Sequence, residues 1–128
     1  MSTRGADINA DYLQIRNIEI VRGDTVAFSV RLNNNGLPVM LDENGVVTFS
    51  IFDRVKQPII IKRYISASQD ENGYIEISLL PSETSILRKA DHYTYELEWI
   101  INARTIYTIL SGQVNVIEDK ITAENRGG

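Results

Sequence analysis

Short segments in which apolar and polar residues alternate restrict the fold of this chain more than any other feature. In the clearest segment, residues 25–32, every second residue is apolar and the residues between are small or polar. A period of two places successive side chains on opposite faces of a strand, so the pattern predicts a strand with one buried face. The 18 Ile, 9 Val, 8 Thr and 10 aromatic residues make 45 strand-favouring residues, against 16 Ala and Leu. This balance favours β-sheets over a helical bundle.

Turn-forming residues divide the chain into about seven to eight predicted strands. In order, the predicted strands span residues 13–21, 25–32, 37–41, 46–53, 59–65, 74–80, 92–101 and 104–117. Because the apolar residues change parity there, we expect a bulge or kink near Arg16-Asn17, and we expect an interruption near Ser111-Gly112. Residues 81–89 have the one helical pattern, one or two turns long, with Ser82 as a candidate cap. These features predict a small all-β sandwich or barrel with one short helical turn.

The chain is long enough for one packed core and too short for two domains. We expect the sandwich to span residues 13–118. The ends, 1–12 and 119–128, are polar and without periodicity, and are predicted to be a flexible N-terminal arm and a flexible C-terminal tail. The isoleucine run at 59–61 is expected to be covered on both faces, since such a run favours aggregation when exposed.

Charge and composition exclude several classes of function. With 13 basic and 17 acidic residues the net charge is −4, so nucleic acid is not expected as a partner. The absence of cysteine excludes disulfides, thiolate nucleophiles and Cys-ligated metals. No apolar stretch has the length of a signal peptide or a bilayer span, so we expect synthesis in a cytoplasm and no membrane partner.

The sequence contains few of the residues and motifs that catalytic sites require. His92 is the only histidine, so a metal site with two imidazoles is impossible and a Ser-His-Asp triad would need this residue as its base. Its position on the polar parity at the start of a strand favours a solvated residue instead. The Gly-x-Ser-x-Gly elbow and the Gly-x-x-x-x-Gly-Lys loop are both absent. We therefore expect a non-enzymatic protein with no cofactor and with no catalytic, cofactor-binding or metal-binding residues.

Two acidic pairs, Asp42-Glu43 and Asp70-Glu71, each belong to an Asp-Glu-Asn-Gly tetrapeptide. Asn and Gly favour tight turns, so turn formation explains both pairs. A Ca²⁺ ion bridging the two loops is the second interpretation, although neither loop has the spaced ligands of a calcium-binding loop. The tripeptide Arg22-Gly23-Asp24 is interpreted as the turn before a strand, not as an adhesion motif.

A sugar-binding module would present a row of exposed aromatic side chains on one face of a sheet. The candidates for such a row are Tyr12, Tyr64 and Tyr107. Three further aromatic residues share the inward parity of Leu97 and are predicted to lie in the core: Tyr93, Tyr95 and Trp99.

The order of several motifs resembles a known family. An Arg-Gly-Asp-Thr sequence at 22–25 leads into the alternating strand, a Gly-x-Pro turn follows at 36–38, and a Val-x-Phe-x-Ile strand follows at 47–51. A Gly-led strand at 73–77 and a tyrosine-containing strand at 93–97 complete the series. Over about residues 13–118, the chain resembles the N-terminal domain of the siphophage baseplate upper protein.

The resemblance implies an immunoglobulin-like sandwich that attaches tail or baseplate components to one another and does no chemistry. Tyr93 follows the 81–89 connection at a strand start, where such sandwiches have a tyrosine corner, and Tyr95 stands where antibody domains have a cysteine. The early-strand Trp of antibody domains is absent, and the lone Trp99 stands elsewhere. The pattern therefore fits a sandwich but not an antibody-type domain.

The leading hypothesis is a structural or adaptor component of a phage or prophage tail, assembled in the bacterial host cytoplasm and carried in the virion. It would form homo-oligomers and dock on other tail or baseplate proteins, through an apolar face or by strand addition at an edge such as Leu37–Leu41. The sequence does not identify the partner-binding residues. The alternative hypothesis is a carbohydrate-binding or adhesin-type module for a cell-wall glycan, which requires Tyr12, Tyr64 and Tyr107 to share one outer face.

Overall fold

The alternating segments of the sequence become the strands of two packed β-sheets. A computed structural model describes residues 5–9, 13–34, 36–89 and 91–118. These residues form ten strands: β1 (Gly5–Asn9), β2 (Gln14–Ile15), β3 (Ile18–Val21), β4 (Val26–Asn34), β5 (Leu37–Pro38), β6 (Val46–Phe52), β7 (Pro58–Tyr64), β8 (Tyr74–Leu79), β9 (Tyr93–Asn102) and β10 (Thr105–Ile117). One helical turn, α1, spans Pro81–Thr84, and a 3-10 turn spans Ser66–Ser68. The prediction of an all-β sandwich with a short helical turn is confirmed.

The larger sheet has the strand order β2-β10-β9-β6-β7, with β3 continuing beside β10 where β2 ends. Its central strands pair antiparallel, whereas β2 and β3 run parallel to β10. In the smaller sheet, β4 pairs in parallel with β1 on one side and antiparallel with β5 and β8 on the other. Among the described residues, β7 therefore forms one edge of the larger sheet, and β2 and β3 form the other.

Inward-facing side chains of both sheets make up the core. The ring of Phe49 on β6 lies between Phe28 of the smaller sheet and Tyr95 of β9, with centroid distances of 5.9 and 5.7 Å. Alternate residues of β8 are fully buried, as the sequence pattern predicts: Ile75, Ile77 and Leu79. Burial of these apolar side chains drives the two sheets together.

The predicted irregularity at Arg16-Asn17 is confirmed, since these two residues separate β2 from β3. Both short strands pair with β10, and the kink between them lies over Gly112. A side chain at Gly112 would overlap the carbonyl oxygen of Arg16, so only glycine fits there without displacing the kink. Gly112 therefore permits a close approach of two backbones.

The prediction that the last strand is interrupted near Ser111-Gly112 is wrong. β10 is continuous from Thr105 to Ile117, and its register shifts fall at Thr105/Ile106 and at Thr108/Leu110. The glycine marks the crossing of the β2–β3 kink and not a break in its own strand, which sequence spacing alone does not distinguish.

Two other expectations need correction. The isoleucine run at 59–61 is not covered on both faces: Ile60 is buried, whereas Ile61 is 48% exposed because it lies on the outer face of an edge strand. The turn α1 begins at Pro81, and its cap comes from Glu83 and not from Ser82. The Glu83 carboxylate accepts a hydrogen bond from the Leu80 N–H at 2.8 Å, which satisfies one of the free donors at the start of the turn.

Ten strands exceed the predicted seven to eight for two reasons. The kink divides one predicted strand into β2 and β3, and part of the N-terminal segment forms β1 beside β4. Of the predicted arm at 1–12, the structure describes only Gly5–Asn9, which has strand geometry, and the predicted tail at 119–128 lies outside the described residues. The proposed domain boundaries stay predictions.

Candidate functional site

The tripeptide at 22–24 forms the turn between β3 and β4 and is tied to the connection after β8. The Gly23 N–H donates to the Thr84 hydroxyl at 3.1 Å, and this hydroxyl lies 2.8 Å from the Asp24 carbonyl oxygen, to which it donates. The Arg22 Nε–H donates to the Leu87 carbonyl at 2.9 Å. Thr84 is fully buried, so the turn is held from inside the protein. These contacts explain the motif as part of the fold.

Both acidic tetrapeptides are turns. The Asp42 carboxylate accepts a hydrogen bond from the Asn44 N–H at 2.9 Å. The Asp70 carboxylate accepts two, from the Asn72 and Tyr74 N–H groups, each at 2.9 Å. Turn formation is therefore confirmed for both loops. In the part of the chain that the structure describes, no group of three or more His, Cys, Asp or Glu residues could hold a metal ion.

His92 is exposed beside a groove of about 290 Å³ between the start of β9 and the end of β10. Lys89, Asp91, Gln113 and Asn115 are among the polar residues that line it. No serine belongs to the lining, so this groove contains no Ser-His-Asp triad. The polar side chains of this surface can form hydrogen bonds with a ligand.

The tyrosine corner that the resemblance implies is present. The Tyr93 hydroxyl accepts a hydrogen bond from the Arg88 N–H at 3.0 Å and lies 3.2 Å from the Asp91 carboxylate, to which it donates. Burial raises the pKa of Tyr93 above its ordinary value, which keeps the phenol neutral. This bond fixes the connection from α1 to β9.

Tyr95, two residues later, is fully buried and holds the β2–β3 kink. Its hydroxyl donates to the Arg16 carbonyl at 2.6 Å. Burial raises the pKa of Tyr95 to about 12, although the positive charge of Arg16 acts in the opposite direction. A neutral phenol is therefore present at every physiological pH, and it serves as a hydrogen-bond donor in the core.

The predicted row of tyrosines on an outer face is not formed by the described residues. The Tyr64 hydroxyl accepts a hydrogen bond from the Ser78 N–H of the smaller sheet at 3.3 Å, so its ring faces inward. Burial raises its pKa. Tyr107 is 48% exposed and contacts Trp99, with ring centroids 6.2 Å apart. Tyr12 lies outside the described residues.

Trp99 was expected in the core, and the structure confirms this only in part. The ring packs against the core but stays partly exposed, since Trp99 lies near the end of β9, close to the β9–β10 turn. Its neighbour across the hairpin is Tyr107. The two rings form a partly exposed aromatic pair at this end of the larger sheet.

The predicted edge at 37–41 is an edge, but a very short one. β5 has two residues, Leu37 and Pro38, and Leu37 is 69% exposed. The backbone that follows is held by one side chain: the Gln69 amide donates to the Val39 carbonyl at 3.0 Å and accepts from the Leu41 N–H at 2.8 Å. Little free backbone is left here for an added strand.

The more open edge is β7, which the sequence did not mark as a site. Its inner face is tied to the connection after β8 by an ion pair between Lys62 and Glu83, 2.7 Å long. The pKa of Glu83 is lowered, first by the hydrogen bond from the Leu80 N–H and then by Lys62. The outer face presents Ile61 and Arg63, both exposed. A signal that could have indicated this edge is the group of cations that flank the isoleucine run in the sequence, Lys56, Lys62 and Arg63.

Comparisons with known proteins bear on the fold. No family model matches the chain, and no curated protein matches it. Among solved structures, the chain is similar to the N-terminal domain of phage TP901-1 ORF48, with a TM-score of 0.53 and 10% sequence identity over 91% of this chain and 99% of that one. The resemblance predicted from the sequence is thus confirmed at the level of the fold. No helix among the described residues is long and apolar enough to cross a membrane.

Proposed function

We propose that this protein is a non-enzymatic structural component of a phage or prophage tail, which docks on neighbouring tail or baseplate proteins. One observation carries the proposal: the fold is shared, over nearly its whole length, with a domain of a phage protein. The order of motifs in the sequence, which resembles baseplate upper proteins, supports the same function independently. The described hydrogen bonds at the Arg22–Asp24 turn, the acidic turns and the tyrosine corner serve the fold.

The proposal places the protein in the virion, assembled in the host cytoplasm, with protein partners and neither nucleic acid nor membrane. Its test is quantitative mass spectrometry of purified particles from a strain that carries the gene on an inducible phage or prophage. We expect the protein at a fixed stoichiometry to known tail proteins, and its loss from particles that lack tails. Recovery only in the particle-free fraction would overturn the proposal.

Self-assembly is the second part of the proposal, since tail adaptors work as closed symmetric rings or trimers. Size-exclusion chromatography with light scattering, over a range of protein concentrations, gives the mass in solution. A discrete closed oligomer is the expected result. A monomer at the highest concentration would contradict self-assembly. Docking on other tail proteins would then be tested by the mass spectrometry of particles alone.

A second candidate function, binding of a cell-wall glycan, is favoured by the aromatic pair Trp99 and Tyr107. Partly exposed aromatic rings can stack on sugar rings, and this pair lies at the end of a rigid hairpin. A glycan array tests it: specific binding that is lost in Tyr107→Ala but kept in Tyr64→Phe supports a glycan site. An array without specific signal rejects it.

A further inference from the structure

β7 offers the longest open strand edge in the described part of the protein. It has seven residues, pairs only with β6, and has a bulge at Ile59, after which Ile60–Tyr64 pair without interruption. The other edge strands, β1, β2, β3, β5 and β8, have between two and six residues. In an edge strand, the N–H and C=O groups of alternate residues point away from the sheet and can pair with an added strand.

The neighbouring edge of the smaller sheet, formed by β8, is partly covered by its own chain. The Ser78 N–H donates to the Tyr64 hydroxyl, and the Asp70 N–H donates to the Tyr74 carbonyl at 2.9 Å. Gln69 forms a bridge with Ile75. On this side of the sandwich, Ile60–Tyr64 of β7 therefore form the more accessible edge.

Charge distinguishes the β7 edge from the rest of the molecule. Residues 54–63 contain four Lys or Arg and no Asp or Glu, whereas the whole chain has a net charge of −4. Arg63 is exposed on β7 itself, and Lys62 pairs with Glu83. Arg54 and Lys56 belong to the β6–β7 turn, where Arg54 lies near Asp91 and Lys56 donates to the Thr94 hydroxyl of β9 at 3.4 Å. Ile61, 48% exposed between these cations, adds an apolar contact on the outer face.

The positive charge of this edge determines which kind of strand can pair with it. Two copies of β7 placed side by side would bring two basic segments together, and like charges on facing strands destabilise pairing. An acidic segment would meet attraction in the same place. The edge is therefore protected against a second copy and complementary to a strand that carries carboxylates.

We propose that β7 docks an acidic, extended segment of a partner protein, which adds to the larger sheet as a further strand. Backbone hydrogen bonds along Ile60–Tyr64 supply the pairing, a carboxylate of the partner faces Arg63, and an apolar side chain contacts Ile61. The proposal deepens the docking function proposed above and rests on it, because it names the docking edge and the chemistry of the partner.

The test uses three synthetic peptides of equal length as probes. The first alternates Glu and Val, the second alternates Lys and Val, and the third has the Glu-Val composition with prolines in its centre. Each is titrated into the isotope-labelled protein, and amide shifts and hydrogen exchange are followed by NMR. We expect saturable binding of the first peptide alone, with slower exchange at alternate amides of β7.

Charge reversal supplies the matched variants. Arg63→Glu changes the exposed cation on the outer face of β7 and is expected to weaken binding of the Glu-Val peptide about fivefold, since an attraction becomes a repulsion. Arg104→Glu, an exposed reversal in the β9–β10 turn, is the control and should leave the affinity unchanged. Thermal unfolding verifies that both variants are folded.

Four results would overturn the proposal: no saturable binding at millimolar peptide, equal binding of the proline peptide, protection of amides outside β7, or an unchanged affinity in Arg63→Glu. None of these results affects the outcome of the mass spectrometry of purified particles, which tests the proposed function. If the protein is present in tails but fails the peptide test, the proposed function stands and the docking edge proposed here is wrong.

Discussion

The two edges of the larger sheet are built differently. At the β2–β3 edge the chain kinks, runs parallel to β10, and is fixed by polar contacts to its neighbours: Tyr95 binds the Arg16 carbonyl, and the Gln113 N–H donates to the Asn17 side chain at 3.0 Å. At the β7 edge, Ile60–Tyr64 pair with β6 without interruption after a bulge at Ile59, and the exposed Arg63 lies on the outer face. The kink interrupts the backbone ladder of the β2–β3 edge. At the β7 edge the backbone can pair, and a positively charged side chain limits which strands can do so.

This difference decides which edge can accept a partner. A kinked edge cannot offer a continuous ladder, because its backbone groups change direction at Arg16-Asn17. Charged side chains beside an edge leave its backbone N–H and C=O groups free to pair, and they repel only strands of like charge. Substitutions at the kinked edge should therefore change stability, whereas substitutions at the β7 edge should change binding and leave stability nearly unaltered.

The largest effect is expected for Gly112→Ala. The added methyl group would overlap the Arg16 carbonyl, so the β2–β3 kink must move and its contacts with Tyr95 are strained. We expect a loss of about 3 kcal/mol in the free energy of unfolding, measured by urea denaturation. Gly45→Ala is the control, because a methyl group there makes ordinary contacts at 3.4 Å. Equal midpoints for the two variants would contradict the close approach.

The next effect is expected for Thr84→Val, which tests how the far end of β3 is held. The substitution keeps the volume and removes the hydroxyl that bridges the Gly23 N–H and the Asp24 carbonyl. Because both groups lose a buried partner, we expect a loss of about 2 kcal/mol in urea denaturation. Thr108→Val, on a half-buried strand position, should change the stability by less than about 0.5 kcal/mol. Similar losses in both would mean that the bridge contributes little.

Tyr95→Phe removes one hydrogen bond at the kink and should cost about 1 kcal/mol at neutral pH. The wild-type phenol has a folded-state pKa of about 12, above the ordinary value of 10.0, so its contribution is present below pH 10 and is lost as the pH rises toward 12. The difference between wild type and variant should therefore shrink in this alkaline range. Urea denaturation at neutral and alkaline pH measures it, with Tyr107→Phe as the exposed control. A difference that widens with pH would contradict the buried phenol.

Much of this architecture follows from the sequence because alternation reports directly on burial. The strand at 74–79, the Arg16-Asn17 irregularity and the two Asn-Gly turns each have a local cause, and each is present. The tyrosine corner needed the family resemblance, since one Tyr at a strand start is common in β proteins.

What the sequence did not reveal depends on partners distant along the chain. The interpretation of Gly112 as a break failed because its cause, the Arg16 carbonyl, is 96 residues away in the sequence. The isoleucine run at 59–61 looked like a buried strand, and only the strand order shows that it lies at an edge.

The smallest stability effect is expected at the open edge, for Glu83→Gln. The carboxylate accepts a hydrogen bond from Leu80 and pairs with Lys62, both on partly exposed groups, so the variant should lose only about 0.5 kcal/mol at pH 7. Because the pKa of Glu83 is lowered in the folded state, this contribution is present above the ordinary carboxyl pKa and is lost as the pH falls through the lowered value. The urea midpoints of wild type and variant should thus lie closer together at pH 3 than at pH 7, with the exposed Glu76→Gln as control. A loss as large as that of Thr84→Val would mean that β7 is fixed as firmly as the kinked edge, and the contrast between a geometric and an electrostatic edge would fail.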